Sequence, residues 1–451
     1  MPNTISMNPS DPIITESDAL YARALKLIPA QTQTLAKGAG QYVKGVAPKF
    51  LERGKGATVW DVDGNAYVDL NMAIGPLVLG YGHPAVDQAI RDQLEKGITF
   101  SLVHPLEVEV AERVNRVVPG AESVRFSKTG CDVTTAAVRL ARAFTGRNKV
   151  LCCGYHGWHD WYIGVTDRNL GIPQVTQDLT YTFNYNDVQS VVDAIDDDVA
   201  AVILEPVVFE EPRNDFLREL RRVTERAGAL LVFDEMWTGF RCALGGAQQR
   251  YDVRADLACF SKAVANGMPL SVLTGRRDVM QLLEKQVFFF TTFGGEALSL
   301  AAAKATIDVL ERERVPEQLA AQGKKLKDGY NALAREAGVD GFTRSFGLDC
   351  RTIVTFDASA GNPLELKSFV QQEMIRRGVL WSGFHNMSQA HGDAEVAHVL
   401  AAYREVLPLL ARAVAEGNVG AKLRGAPVEP VFRKTSNFNT KPKQAKAGGA
   451  A

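Results

Sequence analysis

Lys262 stands in "FSKAVANGMP", among small and apolar neighbours, between a strand-like run and a loop. A lysine amine kept from water is pushed toward its neutral form and becomes a nucleophile for carbonyl carbon. The competing reading buries only the stem and lets the ammonium reach solvent. Asp234 ends the apolar run of "LLVFDEMWTGFR". A carboxylate at a buried strand end needs a partner, and three are open: a protonated ring nitrogen of a bound molecule, Arg241, or a helix start. In "GYHGWHDWY", Tyr155 and His156 follow a strand directly and Gly157 lets the chain turn. An aromatic there can stack on a flat ring, or the stretch can be plain core packing. In "SKTGCDVTTAAVRLARAF", Thr129, Gly130, Cys131 and Asp132 precede a helix with small residues at 136, 137 and 141. A glycine and the free N–H groups of a helix start suit a phosphate; an ordinary N-cap is the alternative.

These residues need a scaffold that gathers them. "NKVLCCG", "VAAVILEPV", "ALLVFDE", "DLACFSK" and "SVLTGR" are short apolar runs, as expected of strands covered on both faces. Between the second and third lies "DFLRELRRVTERAG", with Phe216, Leu217, Leu220 and Val223 on one helical face and Gly228 to end it. This rhythm predicts an α/β fold with a mostly parallel sheet and helices on both sides. In such sheets ligands bind at the carboxyl ends of the strands, where all four features fall. The flanks read differently. "GATVWDVDGNAYVDL" is a hairpin turned at Asp63-Gly64-Asn65. Residues 318–432 mix long helices such as "EVAHVLAAYREVLPLLARAVAEG" with short strands such as "RTIVTF", as a second domain would.

Composition narrows the classes. The 451 residues are 46% hydrophobic and carry 51 basic against 52 acidic side chains, so nothing favours nucleic acid or an anionic membrane as partner. No apolar run reaches the ~20 residues of a membrane span. The polar N-terminus lacks a secretory pattern, and a cytoplasmic location is expected. None of the six cysteines forms a CxxC pair. His156 and His159 have no second ligand pair at metal spacing, so no metal is expected.

A helix-start phosphate site, a stacking aromatic, an aspartate for a pyridine nitrogen and a nucleophilic lysine are together the needs of pyridoxal 5'-phosphate. Their order, with "WDVDGNAYVDL", "LARAFTGRNKV", "YHGWHD", "VILEPV", "FDEMWTGFR", "SKAVANGMPLSVLTGRR" and "TTFGGEALSLAAAKAT", resembles the class III aminotransferases. These are fold-type I enzymes, and the chain looks similar to the branch that holds glutamate-1-semialdehyde aminomutase. The resemblance implies a large domain built on a mostly parallel seven-stranded sheet flanked by helices (71–317). A smaller α+β domain would come from the two ends (16–70 with 318–435), and residues 1–15 and 436–451 would be disordered. It makes Lys262 the Schiff-base lysine, Asp234 the partner of the pyridine nitrogen and Tyr155 the stacking ring. His156 joins the cofactor contacts. Gly130 and Cys131 match the phosphate cup, Glu205 the active-site floor, and Met236 an apolar residue behind the ring. Thr292 matches a threonine reaching the neighbouring subunit's phosphate, which implies a homodimer. Small amine and oxo compounds are the implied substrates. The chain departs from the family at Cys131 (usually Ser or Thr) and at Glu296-Ala297 (usually Asn-Pro). It also has "AQTQTLAKG" where aminomutases carry Ser-Pro-Val-Arg. This last departure, with Trp158, Trp161 and "GFHNMSQAH", favours a transaminase. An aminomutase and a non-catalytic binder of the cofactor are the alternatives.

Overall fold

The structure, a computed structural model, describes residues 10–430. The disorder expected at 436–451 and over the first nine residues lies outside that range. The described residues form two compact units, 10–87 with 309–430, and 88–308. Among them, no helix is long and apolar enough to cross a membrane.

In the first unit, after the helix Thr15–Leu27, come β1 (Leu51–Lys55), β2 (Thr58–Asp61) and β3 (Ala66–Asp69), paired antiparallel in that order. The expected hairpin is β2–β3, and Gly64 adopts φ +87 in its turn.

The second unit is built on one sheet. Its strands are β4 (Ser123–Ser127), β5 (Lys149–Cys153), β6 (Thr180–Thr182), β7 (Val199–Leu204), β8 (Leu230–Asp234), β9 (Leu257–Phe260) and β10 (Ser271–Gly275). Their order is β4-β10-β9-β8-β7-β5-β6, parallel from β9 through to β6. β10 runs antiparallel to both of its neighbours, so β4 points the same way as β9. This is the seven-stranded, mostly parallel sheet that the resemblance implied.

Alternation of side chains across the sheet explains the apolar runs. Val150, Cys152, Ile203 and Val232 face one core, shared with Val133, Ala136, Ala137 and Leu140 of the helix Gly130–Thr145. Leu151, Cys153, Val202, Leu204, Leu231 and Phe233 face a second core. There the helix Phe216–Ala227 buries Phe216, Leu217, Leu220 and Val223. Each such buried side chain contributes roughly 1.5–3 kcal/mol. Gly228, left-handed at φ +66, ends that helix.

The first unit is completed by β11 (Thr343–Leu348), β12 (Arg351–Phe356), β13 (Val379–Leu380) and β14 (Phe384–Asn386). β11-β12-β14 form a three-stranded antiparallel sheet, while β13 adds in parallel to β3. The helices Val315–Glu336, Pro363–Ile375 and Asp393–Ala415 belong to the same unit.

Candidate active site

Because β4, β5, β7, β8 and β9 run the same way, their carboxyl ends share one edge of the sheet. Tyr155 and His156 follow β5, Glu205 follows β7, Asp234 closes β8 and Lys262 follows β9. The helix Gly130–Thr145 begins just after β4. The topology thus collects on one edge residues spread over more than a hundred positions of sequence.

Asp234 is 1% exposed. Its Oδ2 accepts from His156 Nδ1 at 2.7 Å, and its Oδ1 accepts the Met236 N–H at 3.1 Å. Neither Arg241 nor a helix start is its described partner; His156, reached across β7, is. The far ring nitrogen of His156, Nε2, is buried without a hydrogen-bond partner among the described residues. The His156 ring stacks on Trp161 at 5.9 Å. The imidazole is thereby fixed from two sides, and it fixes the carboxylate in turn.

Tyr155 is 43% exposed although the last four residues of β5, just before it, are buried. Its backbone N–H donates to Glu205 Oε1 at 2.7 Å. Glu205, read in the sequence as floor, therefore holds the strand end that presents Tyr155. Thr134 Oγ1 donates to the His156 carbonyl at 2.8 Å, tying this loop to the N-terminal part of the helix. Gly157 has φ +106, and a Cβ there would sit 2.4 Å from Cys131 Cβ. Only glycine lets the loop lie on the helix start so closely.

At that helix start, Thr129 Oγ1 accepts the Asp132 N–H, and the Asp132 carboxylate accepts the Thr129 N–H at 2.8 Å. A Cβ on Gly130 would meet Met236 Sδ at 3.0 Å, so Met236 packs against the cup. Cys131 is buried with its Sγ 3.1 Å from Thr129 Oγ1. Ligand atoms of Cys131, Asp132 and His159 lie within 4.8 Å of one another. All three side chains are already engaged in hydrogen bonds, His159 Nδ1 with Thr135 Oγ1 at 2.7 Å.

Lys262 is half-buried, with a left-handed backbone at φ +46 in the short turn Lys262–Ala265. Left-handed geometry is costly for a residue with a Cβ, and such strain concentrates at functional sites. Its Nζ lies 3.7 Å from the ring centroid of Trp237. Trp237 stood in a quoted motif without a role. So did Glu235, whose buried carboxyl is pushed up to about 7 by desolvation and accepts the N–H groups of Ala247 and Gln248. Thr292 is exposed, in the segment leading into the helix Ala297–Arg312. It is not among the residues these contacts gather.

The arrangement suits a flat, phosphate-bearing heteroaromatic aldehyde. It offers a glycine-lined helix start for the phosphate, an exposed ring for stacking, a locked buried carboxylate and an amine. That fit rests on the cradle at Gly130 and Gly157 and on the paired burial of Asp234 and His156.

Residues 41–388 match the family model described as Aminotransferase class-III. The chain is 35% identical over 408 residues to a 3-aminobutyryl-CoA aminotransferase of Cloacimonas acidaminovorans (strain Evry), spanning 87% of this chain and 97% of that one. It is 38% identical over 346 residues to a glutamate-1-semialdehyde 2,1-aminomutase of Methanothrix thermoacetophila (strain DSM 6194 / JCM 14653 / NBRC 101360 / PT), spanning 72% and 79%. Among solved structures, the FumI protein of Sphingopyxis sp. MTA144 in its PLP internal aldimine form superposes with a TM-score of 0.82. It shares 29% identity, over 89% of this chain and 98% of that one.

Proposed function

Since the chain belongs to the class-III aminotransferases, we propose that Lys262 carries its cofactor and moves the substrate proton, with Asp234 holding the ring-nitrogen proton. The protein is a pyridoxal 5'-phosphate enzyme that moves an amino group between an amine donor and an aldehyde or ketone acceptor. When bound, pyridoxal phosphate supplies an aldehyde that exchanges between amino groups and a ring that takes up an electron pair.

The chain's own residues do the rest. The N–H groups of the helix beginning at Gly130 hold the phosphate, and with Cys131 in place of a hydroxyl residue the backbone carries that contact. Tyr155 would stack on the ring, with Met236 packed nearby. Asp234, anchored through His156, keeps a proton on the ring nitrogen. Lys262 Nζ would hold the cofactor covalently and, once freed, would take the proton from the donor's carbon and carry it as an ammonium. The observation that carries this reading is the placement of Lys262 and the His156-locked Asp234 on adjacent parallel strand ends.

Within the family we read the chain as a transaminase with two distinct substrates. "AQTQTLAKG" and the aminotransferase relative that it spans almost end to end support this; the aminomutase relatives keep the second reading in play. The test is glutamate 1-semialdehyde supplied alone. A transaminase with two distinct substrates makes no sustained 5-aminolevulinate from it and shows ping-pong kinetics with a separate donor and acceptor. Sustained formation of 5-aminolevulinate without any added donor or acceptor establishes the aminomutase instead.

The working unit of this proposal is a homodimer. Phe100, Leu102, Val103, Phe288, Phe290 and Phe293 expose apolar surface on the unit 88–308. The two segments that carry them adjoin, through the Ala297 N–H donating to the Ile98 carbonyl at 2.9 Å. Such exposed apolar surface supports an interface there, and Thr292 lies in the second segment, beside Phe293. Light scattering of the holoprotein should give about twice 49.1 kDa or a multiple of it; a fully active monomer rules the dimer out. A cytoplasmic setting belongs to the same reading, since all six cysteines are free thiols.

A further inference from the structure

We infer that Trp237 is a positioning residue that receives the Lys262 amine on its ring face whenever that amine is not bonded to the cofactor. The inference rests on the role of Lys262 proposed above.

The contact joins two rigid supports. Trp237 follows β8 in the turn 235–240. That turn is closed by the Gly239 N–H donating to the Glu235 carbonyl at 2.8 Å. It is anchored by the Glu235 carboxylate, which accepts Thr238 Oγ1 and the N–H groups of Ala247 and Gln248. Phe240 packs edge-on to Phe260 at 5.5 Å, and a Cβ on Gly239 would lie 2.3 Å from the Phe260 ring. The turn is thereby clamped to the end of β9, two residues before Lys262. On its side, Lys262 starts two residues after Phe260 from a left-handed backbone, φ +46. The backbone segments that carry the two side chains are thus fixed to each other, and across them Nζ approaches the ring centroid to 3.7 Å.

The electron-rich face of an indole attracts an ammonium and leaves a neutral amine nearly indifferent. Lys262 alternates between those forms. It is neutral when it attacks, and it is an ammonium between taking a proton from the substrate carbon and giving it up. The ring steadies the amine in its protonated interval. It also keeps the amine next to the atoms it must revisit, where a free lysine would sample many rotamers. Several titratable groups stand on the elements around Lys262. They are Asp234, Glu235 and Arg241 on β8 and its turn, Glu205 after β7, Tyr155 and His156 after β5, and Cys131 with Asp132 at the helix start. Asp234, Glu235, Glu205 and Asp132 are tied up in the hydrogen bonds given above, so none needs to move when Trp237 is changed.

The sign of the effect follows. Removing the ring removes stabilisation of the ammonium, so the free amine appears at lower pH. Simple damage to the pocket lets water in, which favours the ammonium and moves the titration the other way. The experiment follows capture of added pyridoxal phosphate by cofactor-free wild type, W237L and W237F across pH, through the long-wavelength absorbance of the lysine-bound cofactor. Each product is reduced with borohydride and peptide-mapped. The midpoint of the pH–rate profile in W237L should fall by about 0.5–1 pH unit, with its high-pH plateau little changed. W237F, which keeps a π face, should shift less than half as far. W237M replaces W237L in the comparison if the leucine variant does not fold. An unmoved or raised midpoint, with the tag still on Lys262, overturns this inference and leaves the Lys262 assignment standing. A wild-type tag on a different lysine overturns the assignment, and the inference with it.

Discussion

Replacing Lys262 with alanine should lower turnover on the order of 10⁴-fold or more, because one substitution removes both the attachment point and the proton carrier. The fold should survive. Lys262 is half-buried and lies outside the described core clusters. Its left-handed φ of +46 strains alanine as it strains lysine, so the backbone cost is unchanged. The side chain's contact with Trp237 is worth roughly 0.5–2 kcal/mol, a small part of a domain's stability. The variant should therefore keep its circular dichroism and melt within a few degrees of wild type. It should still take up the cofactor weakly through the helix start and Tyr155, without the absorbance of the lysine-bound form. Turnover within tenfold of wild type would show that the amine does something else.

The second large effect is expected at Asp234. Changing it to asparagine conserves shape and leaves an oxygen to accept from His156 or from the Met236 N–H, but removes the charge. A carboxylate 1% exposed and bonded to His156 at 2.7 Å is a fixed negative charge in a low-dielectric setting. Removing one such preorganised partner costs on the order of 10²–10³-fold in rate. The loss should fall on the step that takes the proton from carbon. The absorbance of the lysine-bound cofactor should therefore persist, kcat should fall, and a donor deuterated at the reacting carbon should show a larger isotope effect than it does with wild type. If D234N turns over within threefold of wild type, the ring-nitrogen proton is not held by this residue.

How much of this was legible in the sequence depends on the kind of fact. The five apolar runs read as buried strands because they are buried on both faces. β7 shows it plainly, with all six residues inside. The direction of β10 was not read, since an apolar run carries no sign of polarity. A signal existed, because the ten residues 261–270 that join β9 to β10 are too few for a parallel crossover, which takes a dozen or more. β4, "SVRFS", went unnoticed because four of its five residues are only partly buried and its pattern is mixed. In the site, Lys262, Asp234 and Tyr155 were visible as chemically odd residues beside strand ends. The partner of Asp234 was not, since His156 is 78 residues away and meets it only because β5, β7 and β8 lie side by side. Trp237 was hidden for the same reason. Its neighbour in space lies after the next strand, and nothing within "FDEMWTGFR" says that the next strand is adjacent. Glu205 read as part of the active-site floor; that its carboxylate also holds the Tyr155 backbone was not legible. That contact depends on the fit between two strand ends rather than on residue type.

The central claim is that one lysine carries the cofactor. Reduction of the loaded wild-type enzyme with borohydride, followed by proteolysis and mass mapping, reads that directly. The account predicts a single pyridoxyl-phosphate adduct, on the peptide containing Lys262 and absent from K262A. An adduct on another lysine, or an enzyme that turns over with no adduct at Lys262, would contradict it.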